Sequence, residues 1–341
     1  MKLNRRRFLA SSAALASGAF IPSCSKTEKP GPRLAETSPF KLSLAQWSLH
    51  RALQSGDLDN LDWPHYTGDF FQINALEWVN QFFAERTDKL GLQPRGGDYI
   101  DQMKKRCDDN GMISLLIMCD GVGQIGDPDE AKRRAAVEGH YAWLDAAKKL
   151  GCHSIRVNSA SNASLAPEEQ AKLCADGLRR LCEHAKPMEL NVIVENHGGL
   201  SSHGAWLAGV LKSVGMDNCG SLPDFGNFYV AKKRDNAAQF EQAKNLFSGV
   251  EGLKEDEFGL AYDRYQGLKD LMPYAKGVSA KSHSFTAEGE EQHTDYAKML
   301  QIAKDSGFTG YVGIEYEGSD LSEEEGILAT KNLLLEKLEQ L

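Results

Sequence analysis

The chain has 341 residues, of which 41% are hydrophobic and 26% charged, so it can bury a large globular core. Its formal net charge is −9, and removal of an N-terminal segment containing Lys2, Arg5, Arg6 and Arg7 would change this by −4, to −13. Nucleic-acid affinity comes largely from Lys and Arg side chains that neutralise phosphates. Such an acidic surface therefore argues against a nucleic acid as the partner.

The first 24 residues are predicted to be an export signal. Asn-Arg-Arg-Arg-Phe-Leu at 4–9 precedes an apolar stretch rich in Ala and Ser at 10–21, and together they resemble a twin-arginine signal. The apolar stretch is too short to span a bilayer. Ile-Pro-Ser-Cys at 21–24 resembles a lipoprotein cleavage box in which Cys24 would carry the lipid, although Pro22 departs from that pattern. Residues 25–39 are predicted to be a flexible tether, so we expect an exported protein, either periplasmic or anchored to a membrane as a lipoprotein.

Eight short apolar segments follow, and helical patterns lie between them. The predicted strands are 42–48, 73–79, 113–119, 154–158, 192–195, 221–224, 278–283 and 312–315. The clearest helical patterns are 128–150, 167–189, 203–214, 295–306 and 322–341. Eight strand-helix alternations favour an α/β fold, a closed (β/α)8 TIM barrel, over an open doubly wound sheet, and no Gly-x-Gly-x-x-Gly follows the first strand. We predict one domain over 40–341, with an insertion at about 231–267 that forms an extra helix or lid at the barrel mouth.

Six cysteines remain if Cys24 is lipidated, and no two of them form a Cys-x-x-Cys pair. Twin-arginine substrates fold in the reducing cytosol before they are exported. We therefore predict buried free thiols at all six positions. They are Cys107, Cys119, Cys152, Cys174, Cys182 and Cys219.

Four of the predicted strands end on side chains suited to metal binding or acid-base chemistry. These side chains are Glu195, Asp224, Lys281 with His283, and Glu315. Each carboxylate taken alone could equally cap the helix that follows it. The C-terminal ends of barrel strands meet at one face, so we expect the four ends to converge. Carboxylates and one imidazole would suit Mn²⁺, Mg²⁺, Co²⁺ or Zn²⁺.

An ion held in this way could chelate two adjacent sugar oxygens and polarise a carbonyl group. One of Glu195 and Glu315 would then remove the neighbouring proton, and the other could return it. Lys281 could stabilise an enolate oxygen or act as an acid, and pairing with Glu315 is its structural alternative. Glu317 follows on the same strand face and competes for the ligand role, but Glu315 lies nearer the apolar part of the strand.

Four further residues are candidates for substrate binding. His197 and Asn227 follow the ends of two of these strands, where each could also be a turn residue. Trp47 and Glu77 lie in the first two predicted strands, and an aromatic side chain such as Trp47 could also belong to the core.

At these positions the sequence resembles the sugar phosphate isomerase/epimerase family, the xylose isomerase-like barrels that include ketose 3-epimerases and inosose dehydratases. The resemblance covers 41–341 and is most specific at Val-Glu-Asn-His 194–197, Pro-Asp-Phe-Gly-Asn 223–227 and Gly-Ile-Glu 313–315. It implies a divalent metal held by Glu, Asp, His and Glu from strands five to eight, with both Glu residues acting as acid and base. Glu195, Asp224 and Glu315 match three of these positions.

The histidine ligand does not match. In this family a typical seventh strand reads His-Val-His-x-Lys-Asp, and aligning its lysine with Lys281 places Ser279 at the ligand position. His283 lies two residues beyond Lys281, on the same face if the strand continues. We therefore predict His283 as the fourth ligand, with an incomplete site at Ser279 as the alternative.

The predicted function is that of a metal-dependent sugar isomerase or epimerase that forms an enediolate. A keto-sugar or keto-glycoside lyase or hydratase begins with the same proton abstraction and is the alternative. Export slightly favours that alternative, since phosphorylated sugars are scarce outside the cytosol. A carbohydrate-binding protein without catalysis is the third hypothesis. The expected partner is a small carbohydrate, and the sequence leaves the sugar, the metal and homo-oligomer formation open.

Overall fold

The computed structural model describes residues 38–88, 90–233 and 236–341. The predicted export signal at 1–24 and most of the predicted tether at 25–39 lie outside the described residues. Within the described part, no helix combines the length and the apolar character needed to cross a membrane.

Eight parallel strands form the centre of the molecule. In chain order they are β1 (Lys41–Ala45), β2 (Ala75–Val79), β3 (Ile113–Met118), β4 (Ser154–Val157), β5 (Asn191–Glu195), β6 (Cys219–Leu222), β7 (Val278–Ser282) and β8 (Tyr311–Tyr316). Their order in the sheet is β7-β8-β1-β2-β3-β4-β5-β6. Its two edges meet where the Ser279 N–H donates to the Pro223 carbonyl (2.8 Å) and the Phe225 N–H to the Ser279 carbonyl (3.0 Å). The strands thus close into the predicted TIM barrel.

The α-helices of the described residues lie mainly between these strands. They are α1 (His50–Ser55), α2 (Trp63–Tyr66), α3 (Tyr99–Asp109), α4 (Glu130–Gly139), α5 (Tyr141–Leu150), α6 (Pro167–Ala185), α7 (Gly204–Val214), α8 (Ala237–Leu246), α9 (Arg264–Leu271), α10 (Tyr296–Asp305) and α11 (Glu323–Glu339). The single helix predicted over 128–150 is divided into α4 and α5. The helix is interrupted at His140. The ring Nδ1 of His140 donates to the Ala136 carbonyl (2.7 Å), which the backbone N–H of the same residue would bond in a continuous helix, and that N–H donates to the Val137 carbonyl instead.

A small apolar cluster fills the inside of the barrel. Its members come from the strands: Ala45, Ala75, Val79, Leu115, Leu116, Met118, Ile193 and Leu222. Trp47 and Phe82, in the connections after β1 and β2, pack against this cluster from the C-terminal side. The barrel is therefore packed with apolar side chains below its C-terminal face, apart from a buried hydrogen-bonded pair, Ser43 and Glu77. The six cysteines other than Cys24 are buried and free, as predicted.

The predicted insertion contains a small sheet as well as a helix. Strands Tyr229–Lys232, Leu253–Glu255 and Gly259–Tyr262 pair antiparallel, with α8 between the first two in sequence. Val230, Phe240 and Leu260 pack against Leu200, which belongs to the connection after β5. The insertion thus lies beside the C-terminal ends of β5 and β6. These strands of three or four residues are too short to show a period in sequence.

Candidate active site

Three buried carboxylates meet at the C-terminal ends of β5, β6 and β8. Glu195 is the last residue of β5, Asp224 follows the end of β6 by two residues, and Glu315 is the penultimate residue of β8. Each offers one oxygen within 4.8 Å of the others, and the three residues are 0–3% exposed. The structure therefore brings together the three carboxylates that the sequence predicted to converge.

The turn after β6 fixes the Asp224 side chain. Asn196 accepts a hydrogen bond from the Asp224 N–H (2.7 Å) and donates to the Asp224 carbonyl (3.0 Å). Asp224 Oδ1 accepts from the N–H groups of Gly226 and Asn227, each at 2.8 Å. One carboxylate oxygen is thus engaged by the backbone, so Oδ2 is left to face the site.

Strand β7 adds two polar side chains to the same site. Ser279 Oγ lies 2.8 Å from Asp224 Oδ2 and 2.9 Å from Glu315 Oε2. The ammonium of Lys281 lies 3.8 Å from Glu195 Oε1, 3.7 Å from Asp224 Oδ2 and 3.5 Å from Glu315 Oε1. Its side chain is 1% exposed, so this is a buried positive charge surrounded by carboxylates.

Glu317 and His283 stand at the edge of this arrangement. Glu317 lies just beyond β8 and accepts a hydrogen bond from Lys281 (3.3 Å). His283 follows the last residue of β7, and its backbone N–H donates to Glu291 (3.3 Å). Among the described residues, no histidine belongs to a group whose ligand atoms converge as those of the three carboxylates do. The structure therefore lends no support to His283 as a ligand, and Ser279 occupies the position between Asp224 and Glu315.

Arg156 is a central residue that the sequence did not single out. It lies on β4, is 3% exposed, and places Nε 2.8 Å from Glu195 Oε2. This ion pair lacks hydrogen-bond geometry, so Glu195 Oε2 is buried without a hydrogen-bond donor in the described structure. Asn227 donates to the other oxygen, Oε1, at 3.2 Å. A charged residue inside an apolar strand was the available sequence signal for Arg156.

Asp120 holds Arg156 in place from the other side. Its Oδ1 lies 2.8 Å from Arg156 Nη1 and 2.7 Å from Asn158 Nδ2. Burial alone would raise the pKa of Asp120, but the charges of Arg156 and His197 and the hydrogen bonds from Arg156 and Asn158 together outweigh it and lower the pKa to about 2. The guanidinium is thus a fixed charge held between two carboxylates.

The carboxylates differ in their affinity for protons. Burial raises the pKa of Glu315 to about 8 and that of Asp224 to about 6, and the Lys281 charge opposes both increases. Burial also disfavours the charged form of Lys281, but the surrounding carboxylates outweigh it and hold the lysine pKa well above its usual value. A hydroxyl carries one proton, so the two short contacts of Ser279 need a second proton, and a protonated Glu315 supplies it.

Of the four residues predicted to bind substrate, three lie at the C-terminal face of the barrel and one lies inside it. Asn227 contacts Glu195 directly, and the exposed His197 lies two residues beyond that glutamate. Trp47 stacks on His50 with ring centroids 4.8 Å apart, at the C-terminal face. Glu77 is 1% exposed and accepts a hydrogen bond from Ser43 (2.6 Å), so it lies inside the barrel.

The Glu77 carboxyl group occupies the space beside Gly313 that a side chain at that position would fill. A Cβ added to Gly313, two residues before Glu315 on β8, would overlap the Glu77 carboxyl group. Glu77 therefore lies one layer below the three carboxylates, and burial raises its pKa to about 7. This position separates Glu77 from the strand ends where Asn227 and His197 lie.

The profile of the xylose isomerase-like TIM barrel matches residues 75–337. The chain belongs to that family. No curated protein matches the sequence significantly.

Solved structures with the same fold include several xylose isomerase-like barrels. A sugar phosphate isomerase/epimerase from Parabacteroides distasonis is 16% identical with a TM-score of 0.60, covering 88% of this chain and 95% of its own. An IolI protein with a bound zinc atom is 14% identical with a TM-score of 0.60, covering 88% of this chain and 99% of its own. The 3-keto-D-glucoside 4-epimerase from E. coli is 13% identical with a TM-score of 0.56, covering 89% of this chain and 100% of its own. At sequence identities of 13–16%, these matches show a common fold and nothing more.

The carboxylate oxygens of the site are suitable ligands for a divalent ion, but the neighbouring side chains of Ser279 and Lys281 are not suited to one. The acidic triad offers hard oxygen ligands and could hold a metal by donor type and burial. A neutral hydroxyl, Ser279, stands where an imidazole is expected. Lys281 also places an ammonium 3.5–3.8 Å from all three carboxylates. With Lys281 in this position the residues do not fit a divalent ion, because two cations would share the same three carboxylates.

Proposed function

We propose that this xylose isomerase-like barrel is a sugar isomerase or epimerase that removes a proton next to a carbonyl group and forms an enediolate. The observation that carries the proposal is the pairing of Glu195 and Glu315, two buried carboxyl groups on either side of a fixed positive charge, with the pKa of Glu315 raised to about 8 by burial. Pairs of titratable groups in different environments are the usual basis of acid-base assignments. The fold neighbours named as sugar epimerases or isomerases are consistent with this chemistry.

Glu195 is the proposed base. Its Oε2 is buried and accepts no hydrogen bond, because the Arg156 guanidinium lies beside it without hydrogen-bond geometry, so that oxygen can accept a proton from substrate carbon. The nearby Arg156 guanidinium compensates the negative charge of the carboxylate. Asn227 holds the other oxygen and thereby fixes the direction of the free one.

Glu315 is the proposed acid. Its pKa of about 8 keeps it protonated at neutral pH, so it can return a proton to the enediolate. Lys281 stands between the two glutamates and can donate a hydrogen bond to the oxygen on which negative charge develops. The predicted dependence on a divalent metal is not confirmed, and no step of this reaction requires one.

The proposed substrate is an unphosphorylated keto-sugar or keto-glycoside. Its support is the export signal predicted at 1–24, since phosphorylated sugars are scarce outside the cytosol, together with the 3-keto-glucoside epimerase among the fold neighbours. Export, and lipidation of Cys24, are part of the proposal because those residues lie outside the described structure.

Incubation with a panel of keto-sugars and 3-keto-glucosides in D₂O tests the reaction. We expect an isomeric product that carries solvent deuterium. Glu195→Gln and Glu315→Gln should each lower kcat by about 10²–10⁴-fold, while Glu85→Gln, at an exposed position, serves as the unaffected control. Loss of water or of an aglycone would instead indicate the lyase or hydratase alternative. Absence of both turnover and deuterium uptake across the panel would contradict an enzymatic role.

A further inference from the structure

The positive charge of Lys281 lies where a metal ion would have to bind. Its Nζ is 3.5–3.8 Å from an oxygen of each of Glu195, Asp224 and Glu315, and 3.3 Å from Glu317. An ion bound to the first three at ~2.2 Å would lie within about 6 Å of that nitrogen on either side of the oxygens. The ammonium and a divalent ion would then repel each other at close range in a buried site.

The lysine side chain cannot easily leave this position. Its stem packs along the backbone at Gly226, where an added Cβ would meet Lys281 Cβ, Cγ and Cδ at 3.4–3.5 Å. The Tyr296 hydroxyl donates to the Lys281 carbonyl (2.9 Å) and so fixes the strand beneath it. Because the side chain is 1% exposed, the ammonium has no short path to solvent.

Ser279 is the departure from the family's pattern on the same strand face, since that pattern includes the lysine. It contacts the Asp224 and Glu315 oxygens at 2.8 and 2.9 Å and provides a neutral hydroxyl in place of an imidazole ligand. Two features on β7 thus oppose metal binding: one ligand is absent and one cation is present. Each can be reversed separately by substitution.

We propose that the Lys281 ammonium is the permanent cation of this site and excludes divalent metal ions from Glu195, Asp224 and Glu315. It takes the place that a metal has in such a constellation and stabilises the negative charge of the enediolate oxygen. This catalytic part rests on the proposed function. Metal exclusion is measured without turnover, so the two can fail independently.

Metal analysis and Mn²⁺ titration of the purified protein, followed by electron paramagnetic resonance, test the proposal. We expect the wild type to contain less than about 0.1 divalent ion per chain and to leave added Mn²⁺ free. Lys281→Met should bind about one Mn²⁺ per chain, at least about tenfold more tightly than wild type. Lys331→Met is the matched control, because that lysine bonds to the Phe71 carbonyl away from the site.

A second pair of variants separates the lysine from the missing imidazole. Ser279→His alone restores the imidazole but keeps the ammonium, so it should bind Mn²⁺ more weakly than Lys281→Met, whereas the double variant Ser279→His/Lys281→Met should bind most tightly. Mn²⁺ binding by Ser279→His that is as tight as that of the double variant would show that only the histidine was lacking and would overturn the proposal. So would a stoichiometric metal in the wild type, or a folded Lys281→Met that leaves Mn²⁺ free. If Lys281→Met does not fold, Lys281→Gln takes its place in each comparison.

Discussion

Replacing Glu77 by glutamine removes a carboxyl group whose ionisation opposes folding. Burial raises the pKa of Glu77 from about 4.5 to about 7, and the hydrogen bond from Ser43 opposes this shift. The folded state therefore holds the proton more tightly than the unfolded state. The stabilising effect of the protonated group is complete below pH 4.5 and is lost as the pH rises through about 7. A shift of about 2.5 units corresponds to about 3.5 kcal/mol, since each unit is about 1.4 kcal/mol.

Urea unfolding of wild type and Glu77→Gln at about pH 5 and about pH 8 measures this difference. Between these two pH values we expect the wild type to lose about 2.5 kcal/mol more of its free energy of unfolding than the variant, because all other groups are common to both. Ser43→Ala is the control: it removes the donor to Glu77 Oε1 and should move the loss to higher pH. Equal pH dependence in wild type and Glu77→Gln would refute the assignment of a protonated Glu77.

Two substitutions of helical glycine should have opposite effects on the thermal unfolding midpoint. Gly177→Ala should lower it, because the new Cβ would overlap the Ile125 carbonyl, whereas Gly209→Ala meets nothing within 4 Å and should raise it by removing up to about 1 kcal/mol of helix penalty. Equal effects in the two variants would contradict this packing. Replacing the arginines at 5–7 by lysine should retain the precursor in the cytosol, and Cys24→Ala should abolish lipid labelling of the exported protein. Fractionation and labelled-palmitate incorporation measure these outcomes, and unchanged export or labelling would refute the N-terminal predictions.

The barrel and its three carboxylates could be read from the sequence because they depend on local patterns. Apolar runs that stop at Glu195, Asp224 and Glu315 mark strand ends, and parallel strand ends of a barrel share one face. The convergence of those residues follows from the topology and needs no knowledge of side-chain contacts.

Arg156 and Asn196 could not be assigned in the same way, since their roles depend on partners in neighbouring strands. Arg156 joins Asp120 to Glu195, and Asn196 holds the backbone around Asp224. Neither partnership has a periodic pattern in the sequence. The small sheet within the insertion was missed for a related reason: its strands have three or four residues and their pairing is antiparallel across long connections.

Lys281 faces the carboxylates and His283 does not, because β7 ends between them at Ser282. In the parallel ladder Lys281 pairs with Glu315 and Ser282 with Tyr316, so Lys281 shares the inward face with the glutamate beside it. Alternation would place His283 on that face only if the ladder continued, but Ser282 is the last residue of β7 and the His283 N–H turns to Glu291. The same register places Ser279 opposite Gly313, a position without a side chain. Strand length, which the sequence does not specify, therefore decides that an ammonium and a hydroxyl face the carboxylates while the nearest histidine lies beyond the strand.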